Sequence, residues 1–422
     1  LGGGLAHLGR LAPVGASPVR PPRAGAGGGL FALAGPVALE NVAGFLVGLL
    51  DAALLGRIGA ASLAGMGAAA SIFSLTNAVG FALLTGGIVV IARAVGRADP
   101  AAARAAAAAV FVAFAAAGAG MLAVFLPFAS DWIALMGLDA EAHAEGTAYL
   151  RLMAVVPLAA FAGPASRAVL LGHGRTRETL VVSLVGHGLH LATLPLFIHG
   201  GLGLPPLGAA GVATAFLVSG VVTGVFGVVL LGAHRPTVAD CVAPLPRAPL
   251  GELWRIGAPA AGELLLYNLS QSLVMRVAAV LGTSFVAVRV LLTRLFALSV
   301  GVQSALGQAS LIRTGQETGA DGGGARTEIR SALRVAAAAA LGTAALFLVL
   351  PDAWVGIVSS DAIAVSWTAA LLPLAVLQLL PQAMNIVIGG ALRGAGETRW
   401  MLGTQAAGLA IVTASCWLLA MP

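Results

Sequence analysis

The chain has 422 residues, of which 59% are hydrophobic and only 9% charged, with a mean hydropathy of +0.97. A soluble domain carries about 25% charged residues, so the composition excludes a water-soluble globular protein and points to a polytopic membrane protein. The net charge of +6 comes from 23 basic residues, all arginine, which sit at the ends of apolar stretches, where they orient a membrane protein, and not in a patch that would bind nucleic acid.

Residues 1–29 are rich in Gly, Pro and Arg, contain no apolar run long enough for a signal peptide, and are expected to be disordered. A transmembrane helix needs about 20 mostly apolar residues. On that basis spans are expected at 30–54, 62–91, 105–127, 148–171, 179–199 and 208–232. A linker at 233–253 follows, marked by Pro236, Pro244, Pro246 and Pro249. Further spans are expected at 254–280, 285–312, 332–351, 363–391 and 401–420. Cys241 in the linker and Cys416 inside a span fall at different depths and are not expected to pair.

The loops alternate in charge. Arg10, Arg20 and Arg23 precede the first span, and Arg93, Arg97, Arg104, Arg175, Arg177, Arg313, Arg326, Arg330, Arg393 and Arg399 fall in every second loop. The opposite loops hold Asp131, Asp139, Glu141, Glu145, Asp352 and Asp361. The positive-inside rule then puts the N-terminus and the linker in the cytoplasm of a cell with the protein in its plasma membrane.

The chain also repeats itself. Pro36-Val-Ala-Leu-Glu40 returns as Pro259-Ala-Ala-Gly-Glu263, Gly59 as Gly282, and Gly96 as Gly319, each 223 residues on. Gly172-His-Gly-Arg-Thr-Arg177 returns as Gly394-Ala-Gly-Glu-Thr-Arg399, 222 on. Long duplicated units in a membrane are a signature of transporters. The expected fold is all-α, with two pseudo-symmetric helical bundles of parallel topology, six spans in 30–232 and five in 254–422. A partner for the sixth span would fall at roughly 430–454 by the repeat offset, so a twelfth helix is expected to be missing through truncation or a frameshift.

Among the acidic residues, Glu40, Asp51 and Glu263 fall inside apolar spans. An ionised carboxylate at the bilayer centre costs about 2.5–3.5 kcal/mol on insertion scales and usually faces a cavity or a partner. Glu40 and Asp51 lie 11 residues apart, on nearly the same helix face and roughly 16 Å apart along the axis. The plain alternative is a carboxylate hydrogen-bonded between helices; after a proline, Glu40 and Glu263 fit a cap or hinge equally well. His187 and His190 share a face of the fifth span, as a proton relay or as interhelical hydrogen-bonding groups. Gln378, Gln382 and Asn385 form a polar stripe on the tenth span, joined by Asn268, Gln271 and Gln303; such amides line a wet cavity or glue helices together. Pro36, Pro157, Pro259 and Pro381 are expected to kink their spans. The Gly-x-Gly-x-Thr-Arg loops lack the lysine of a phosphate loop and read as tight turns. Neither a metal-ligand set nor a nucleophile–base pair stands out, so no cofactor and no enzyme activity are expected.

Pro36–Gly59 with Glu40-Asn41 and Gly48-Leu-Leu-Asp51, Gly86–Gly96, Leu207-Gly-Ala-Ala-Gly-Val-Ala-Thr214 and Ala391-Leu-Arg-Gly-Ala-Gly-Glu-Thr-Arg399 together resemble the multidrug and toxic compound extrusion family. The resemblance covers roughly residues 30–422 and rests on the order and spacing of these stretches. It implies two six-helix lobes around a V-shaped cavity, rocking between outward and inward states, and driven by protons or sodium ions. It also implies that Asp51 matches the first-helix aspartate that couples the cation. Where many relatives carry Asn and Asp on the fifth helix, this chain has His190 and Leu194. Where sodium-coupled relatives carry acids in the second lobe, it has Tyr267 and Gln382. Protons are therefore the expected coupling ion, through Asp51, Glu40 and His190. Glu263, Asn268, Gln271, Gln303, Gln378, Gln382 and Asn385 are expected in the substrate cavity of a monomer that exports organic, often cationic, solutes. A flippase for lipid-linked precursors, for which Arg276, Arg289 and Arg294 would be relevant, and an inactive truncated transporter are the alternatives.

Overall fold

The structure, a computed structural model, describes residues 28–420 apart from 56–58, 75, 202, 204, 243–246, 322–324, 350, 352–353 and 355–361. The reading of residues 1–27, and of Arg10, Arg20, Arg23, Asp352 and Asp361, lies outside the described residues. The first part of the chain forms α1 (Gly28–Leu55), α2 (Ala60–Phe73), α3 (Thr76–Gly96), α4 (Pro100–Phe125), α5 (Ala129–Ala134), α6 (Ala140–Ala159), α7 (Ala162–Gly172), α8 (Thr176–His199) and α9 (Ala209–Leu231). After the short α10 (Val238–Val242) come α11 (Arg247–Leu281), α12 (Thr283–Gly319), α13 (Ala325–Val349), α14 (Ala362–Ala375), α15 (Leu379–Ala395) and α16 (Thr398–Ala420).

Among the described residues, nine segments are long and apolar enough to cross a membrane, or eleven if two bent pairs each count as one. Val225, Val229, Leu341, Leu374 and Trp417 are more than half exposed. Such apolar surface is an aggregation liability in water and the expected outer face of a protein in lipid. The protein is an all-α polytopic membrane protein.

The helix ends follow local chemistry. Asp99 caps α4 by accepting from the Ala102 N–H at 2.9 Å, with Pro100 at the first helical position. Asp139 caps α6 in the same way through Ala142 at 2.8 Å. The expected span at 62–91 is two helices: Ser74 and Thr76 return their hydroxyls to the carbonyls of Ser71 and Phe73 at 2.6 Å each, competing with the helical ladder at the break. The span expected at 148–171 starts earlier and is bent by 44° between α6 and α7. Pro157 sits just before that break, where it removes a ladder donor and crowds the preceding turn. The expected helix at 363–391 is interrupted by a 3-10 turn at Val376–Gln378. Gln378 therefore stands on the turn and not on the α15 face that carries Gln382 and Asn385, and the expected stripe is broken. The linker is shorter than 233–253, because α11 begins at Arg247.

In lipid, helices associate through close packing more than through the hydrophobic effect. Helix neighbours recur along the chain: α1 beside α8 and α11 beside α16, α3 beside α7 and α12 beside α15, α4 beside α7 and α13 beside α15. Across the middle, α1 packs on α12 and α11 on α3. One core cluster spans both sides of this seam, joining Leu83, Val89 and Leu170 to Leu253, Ile256 and Ile312.

The two Gly-x-Gly loops fold identically. Gly174 and Gly396 both have positive φ, 75° and 82°. In one, Arg175 N donates to Leu170 O at 2.8 Å; in the other, Glu397 N donates to Leu392 O at 2.9 Å. These are the six-to-one bonds of a glycine-terminated helix.

Candidate functional site

A cavity of about 580 Å³ lies among α1, α6, α7, α8 and α9. Both acids of α1, Glu40 and Asp51, line it, as the 11-residue spacing requires. Asp51 meets α8: His190 Nε2 lies 3.2 Å from each carboxylate oxygen. The His190 ring is 4% exposed and stacks on Phe216 at 4.4 Å. Its other nitrogen, Nδ1, is buried without a partner. His187, on the same α8 face, also lines the cavity. Among the described residues, no group of three or more His, Cys, Asp or Glu is placed to hold a metal.

Glu40 is held from two helices. Ser183 Oγ on α8 donates to Oε1 at 2.7 Å, and Arg167 on α7 approaches the same oxygen through Nη2 at 3.0 Å. Oε2 is buried with no partner. Arg167 is the residue the sequence reading missed. In the sequence it is one more arginine near the end of an apolar span, and its partner is 127 residues away. Glu263, the repeat mate of Glu40, also binds an arginine, with Arg393 Nη2 on Oε1 at 2.6 Å and Nε on Oε2 at 3.2 Å. Arg393 also faces the Phe81 ring at 5.7 Å. Arg167 lies five residues before Gly172 and Arg393 one before Gly394. The arginine has thus moved by about one helical turn and kept its face.

The other expected site residues are placed elsewhere. Glu263, Asn268, Gln271, Gln303, Gln378, Gln382 and Asn385 do not line this cavity. Gln303 is fully buried and donates to Ser299 Oγ at 3.2 Å. Gln271 accepts from Arg289. Asn268, Gln378 and Asn385 are exposed, and Gln382 is half-buried.

Away from the cavity, the two parts of the chain meet in a reciprocal contact. Arg93 Nη2 on α3 donates to Ala395 O at 2.7 Å, while Gln316 Nε2 on α12 donates to Gly172 O at 3.2 Å. Gly96 lies so close to the Gln316 carbonyl, and Gly319 to the Arg93 carbonyl, that a Cβ at either would collide with that oxygen. Every residue of one contact is 223 positions from its counterpart in the other. Glu252 on α11 neutralises Arg93 at 2.5 Å.

At the same end, His173 is pushed down to about 4 from its ordinary 6.5, by burial first and then by neighbouring His234 and Arg175. The Val169 carbonyl, which accepts from Nδ1 at 2.8 Å, works the other way. The folded value lies below the unfolded one, so between pH 6.5 and 4 the unfolded chain binds the extra proton. Native stability is therefore lost as pH falls through that window, by on the order of 3 kcal/mol in full. His173→Phe, which keeps a ring against His234, should flatten the fall in melting temperature over that range in detergent. An unchanged pH slope refutes this assignment.

A family profile described as MatE matches residues 36–196 and again 259–418, two stretches whose starts are 223 residues apart. The chain is 24% identical over 380 residues to an "Uncharacterized transporter YisQ" of Bacillus subtilis, covering 88% of this chain and 82% of that protein. It is 32% identical over 259 residues to a "Probable multidrug resistance protein NorM" of Burkholderia mallei, covering 57% of this chain and 54% of that one. Among solved structures, one described as a crystal structure of MATE in complex with MaD3S matches with a TM-score of 0.86 at 21% identity, over 93% of this chain and 88% of that chain. A MOP superfamily transporter from Pyrococcus furiosus, described as having reverse polarity of its binding pocket, matches with a TM-score of 0.84 at 21% identity, over 92% and 88%.

Proposed function

The chain belongs to the MatE family of multidrug and toxic compound extrusion transporters, and from that premise we propose that it is a proton-coupled antiporter that exports organic cations. The observation that carries this reading is Asp51 inside a membrane span, bonded by His190 and lining a cavity. A carboxylate and an imidazole in contact can pass a proton between them. Sodium is less well served: hard cations take oxygen ligands, and here a ring nitrogen occupies the approach to both Asp51 oxygens. The cavity holds two carboxylates against one arginine, which favours a cationic solute while the histidines are neutral. A lipid-linked precursor has less support, since Arg276 and Arg294 are exposed and Arg289 is engaged with Gln271.

Two pseudo-symmetric lobes, 30–232 and 247–420, make up the transporter in this reading, with the shortened linker between them and a monomer as the working unit. The 223-residue offset, the recurring helix neighbours and the reciprocal contact of Arg93 and Gln316 support it. In this reading that contact lies at the cytoplasmic face of the plasma membrane, with the N-terminus on the same side, which the arginine-rich loops support. The structure then corresponds to a state closed to the cytoplasm, and exchange requires the contact to part. The test is ethidium transport by proteoliposomes under separately imposed proton and sodium gradients. Transport driven by the proton gradient alone is expected. Transport driven by sodium alone, or by neither, overturns the reading.

A further inference from the structure

We propose that Glu40 is an inner proton station, loaded from Asp51 through His190 and His187, and that its loading frees Arg167. The proposal rests on the reading of Asp51 as the coupling acid and extends it to a second carboxylate.

Four groups stand in a row. Asp51 is near the C-terminal end of α1 and touches His190; Glu40 is deeper in the same helix and touches Ser183. On α8, Ser183, His187 and His190 follow one face. His187 Nε2 stands 3.7 Å from where a Cβ on Gly44 would be, one α1 turn from Glu40. It lines the same cavity as Glu40, His190 and Asp51. The two ends of the row carry buried polar atoms with no partner, His190 Nδ1 and Glu40 Oε2. Each is desolvated with nothing to compensate it. They stand at the two ends of the row, where a proton path needs a nitrogen able to release and an oxygen able to accept. Small side-chain rotations would turn both atoms into the cavity of about 580 Å³, which has room for waters, at roughly 30 Å³ each, to bridge the gaps.

Of the other charged or titratable groups near the row, Tyr149 on α6 senses Asp51. Arg167 on α7 binds Glu40. The α9 lining is Phe216, Ser219, Gly220 and Thr223, none of which titrates near neutral pH. On α12, behind α1, Arg313 is tied to Glu328 and Glu317, Arg289 to Gln271, and Arg294 is exposed.

In the forward direction the Asp51 carboxyl gives its proton to His190 Nε2, forming an imidazolium. His190 releases a proton from Nδ1 to His187, and His187 passes one to Glu40 Oε2. Each step breaks one O–H or N–H bond and makes another, and no electrons change hands. Rotation of the His190 ring within its stack on Phe216 resets the tautomer. A neutral Glu40 no longer holds Arg167 by charge. Arg167 sits on α7, just past the 44° break, so its release acts on an element already articulated.

The full chain in proteoliposomes, with ethidium as the probe, tests this. His187→Gln is expected to slow proton-driven ethidium exchange by about tenfold or more, with ethidium Kd and the number of protons released on ethidium binding unchanged, since a relay alters rate and not equilibrium. Glu40→Gln is expected to lower that number of protons. His187→Ala should regain exchange with added imidazole but not with pyrazole, which has the same shape and does not titrate near neutral pH. Wild-type exchange by His187→Gln, or equal response of His187→Ala to both azoles, overturns the relay. If those results come while Asp51→Asn is inert, the relay alone fails; a wild-type protein with no proton-driven exchange removes the reading beneath it.

Discussion

Asp51→Asn is expected to lower proton-driven export by about a hundredfold, the upper range of coupling free energies between two ligands, in a protein that still folds. The amide has the shape of the carboxylate and can still meet His190 Nε2, so the packing of α1 against α8 survives. What disappears is the exchange of charge. In the wild type, protonation neutralises Asp51 and changes which helix arrangement is preferred, while an organic cation competes for the same negative cavity. An asparagine is permanently neutral, so binding of a cation displaces no proton from it and the gradient has nothing to act on there. Export should be measured in cells and in vesicles, with expression and melting temperature as controls. A well-folded Asp51→Asn protein that exports ethidium at wild-type rate under a proton gradient would refute the coupling role.

Gly96→Leu and Gly319→Leu are each expected to push the transporter out of the state seen here. A side chain at Gly96 strikes the Gln316 carbonyl, and one at Gly319 strikes the Arg93 carbonyl. These are backbone atoms of packed helices and cannot rotate away, and overpacking of this kind costs about 1–3 kcal/mol. The collision ends when α3 and α12 separate, so the penalty falls on the closed state alone. A difference of about 2 kcal/mol shifts the balance roughly thirtyfold. Because the two collisions are mirror images across the repeat, the two variants should behave alike. Spin labels on Arg97→Cys and Ala320→Cys, with Cys241→Ser and Cys416→Ser, report the separation, both sites being exposed. Longer distances in both glycine variants are expected, with a loss of export in each. Unchanged distances, or an effect of one variant only, would show that the reciprocal contact is not the gate.

The membrane class and the repeat were legible in the sequence because both are properties of the chain read along its length. Hydropathy averages over 20 residues, and an offset of 223 needs no knowledge of which helices touch; the family profile later matched at the same offset. Asp51 stood out as a candidate for a similar reason, since an acid in an apolar span is costly wherever it points. The helix breaks were only half visible. Pro157 announces its bend, but the break after Phe73 depends on two hydroxyls turning back on carbonyls, which serine and threonine do not always do.

Partners across helices were decided by tertiary structure alone. The sequence places His190 on a face of α8, yet only the packing of α8 beside α1 brings Nε2 to Asp51 across 139 residues. Arg167 reads as one more arginine near a span end until α7, turned by 44°, carries it to Glu40. Gln378 fits a periodic stripe and Gln303 a cavity lining in the sequence, but a 3-10 turn carried the first off the face and packing buried the second. Periodicity specifies which residues share a face of one helix. Which face meets which neighbour depends on close packing between helices far apart in the chain, and in lipid, where the hydrophobic effect does not choose the buried face, that packing is what selects it.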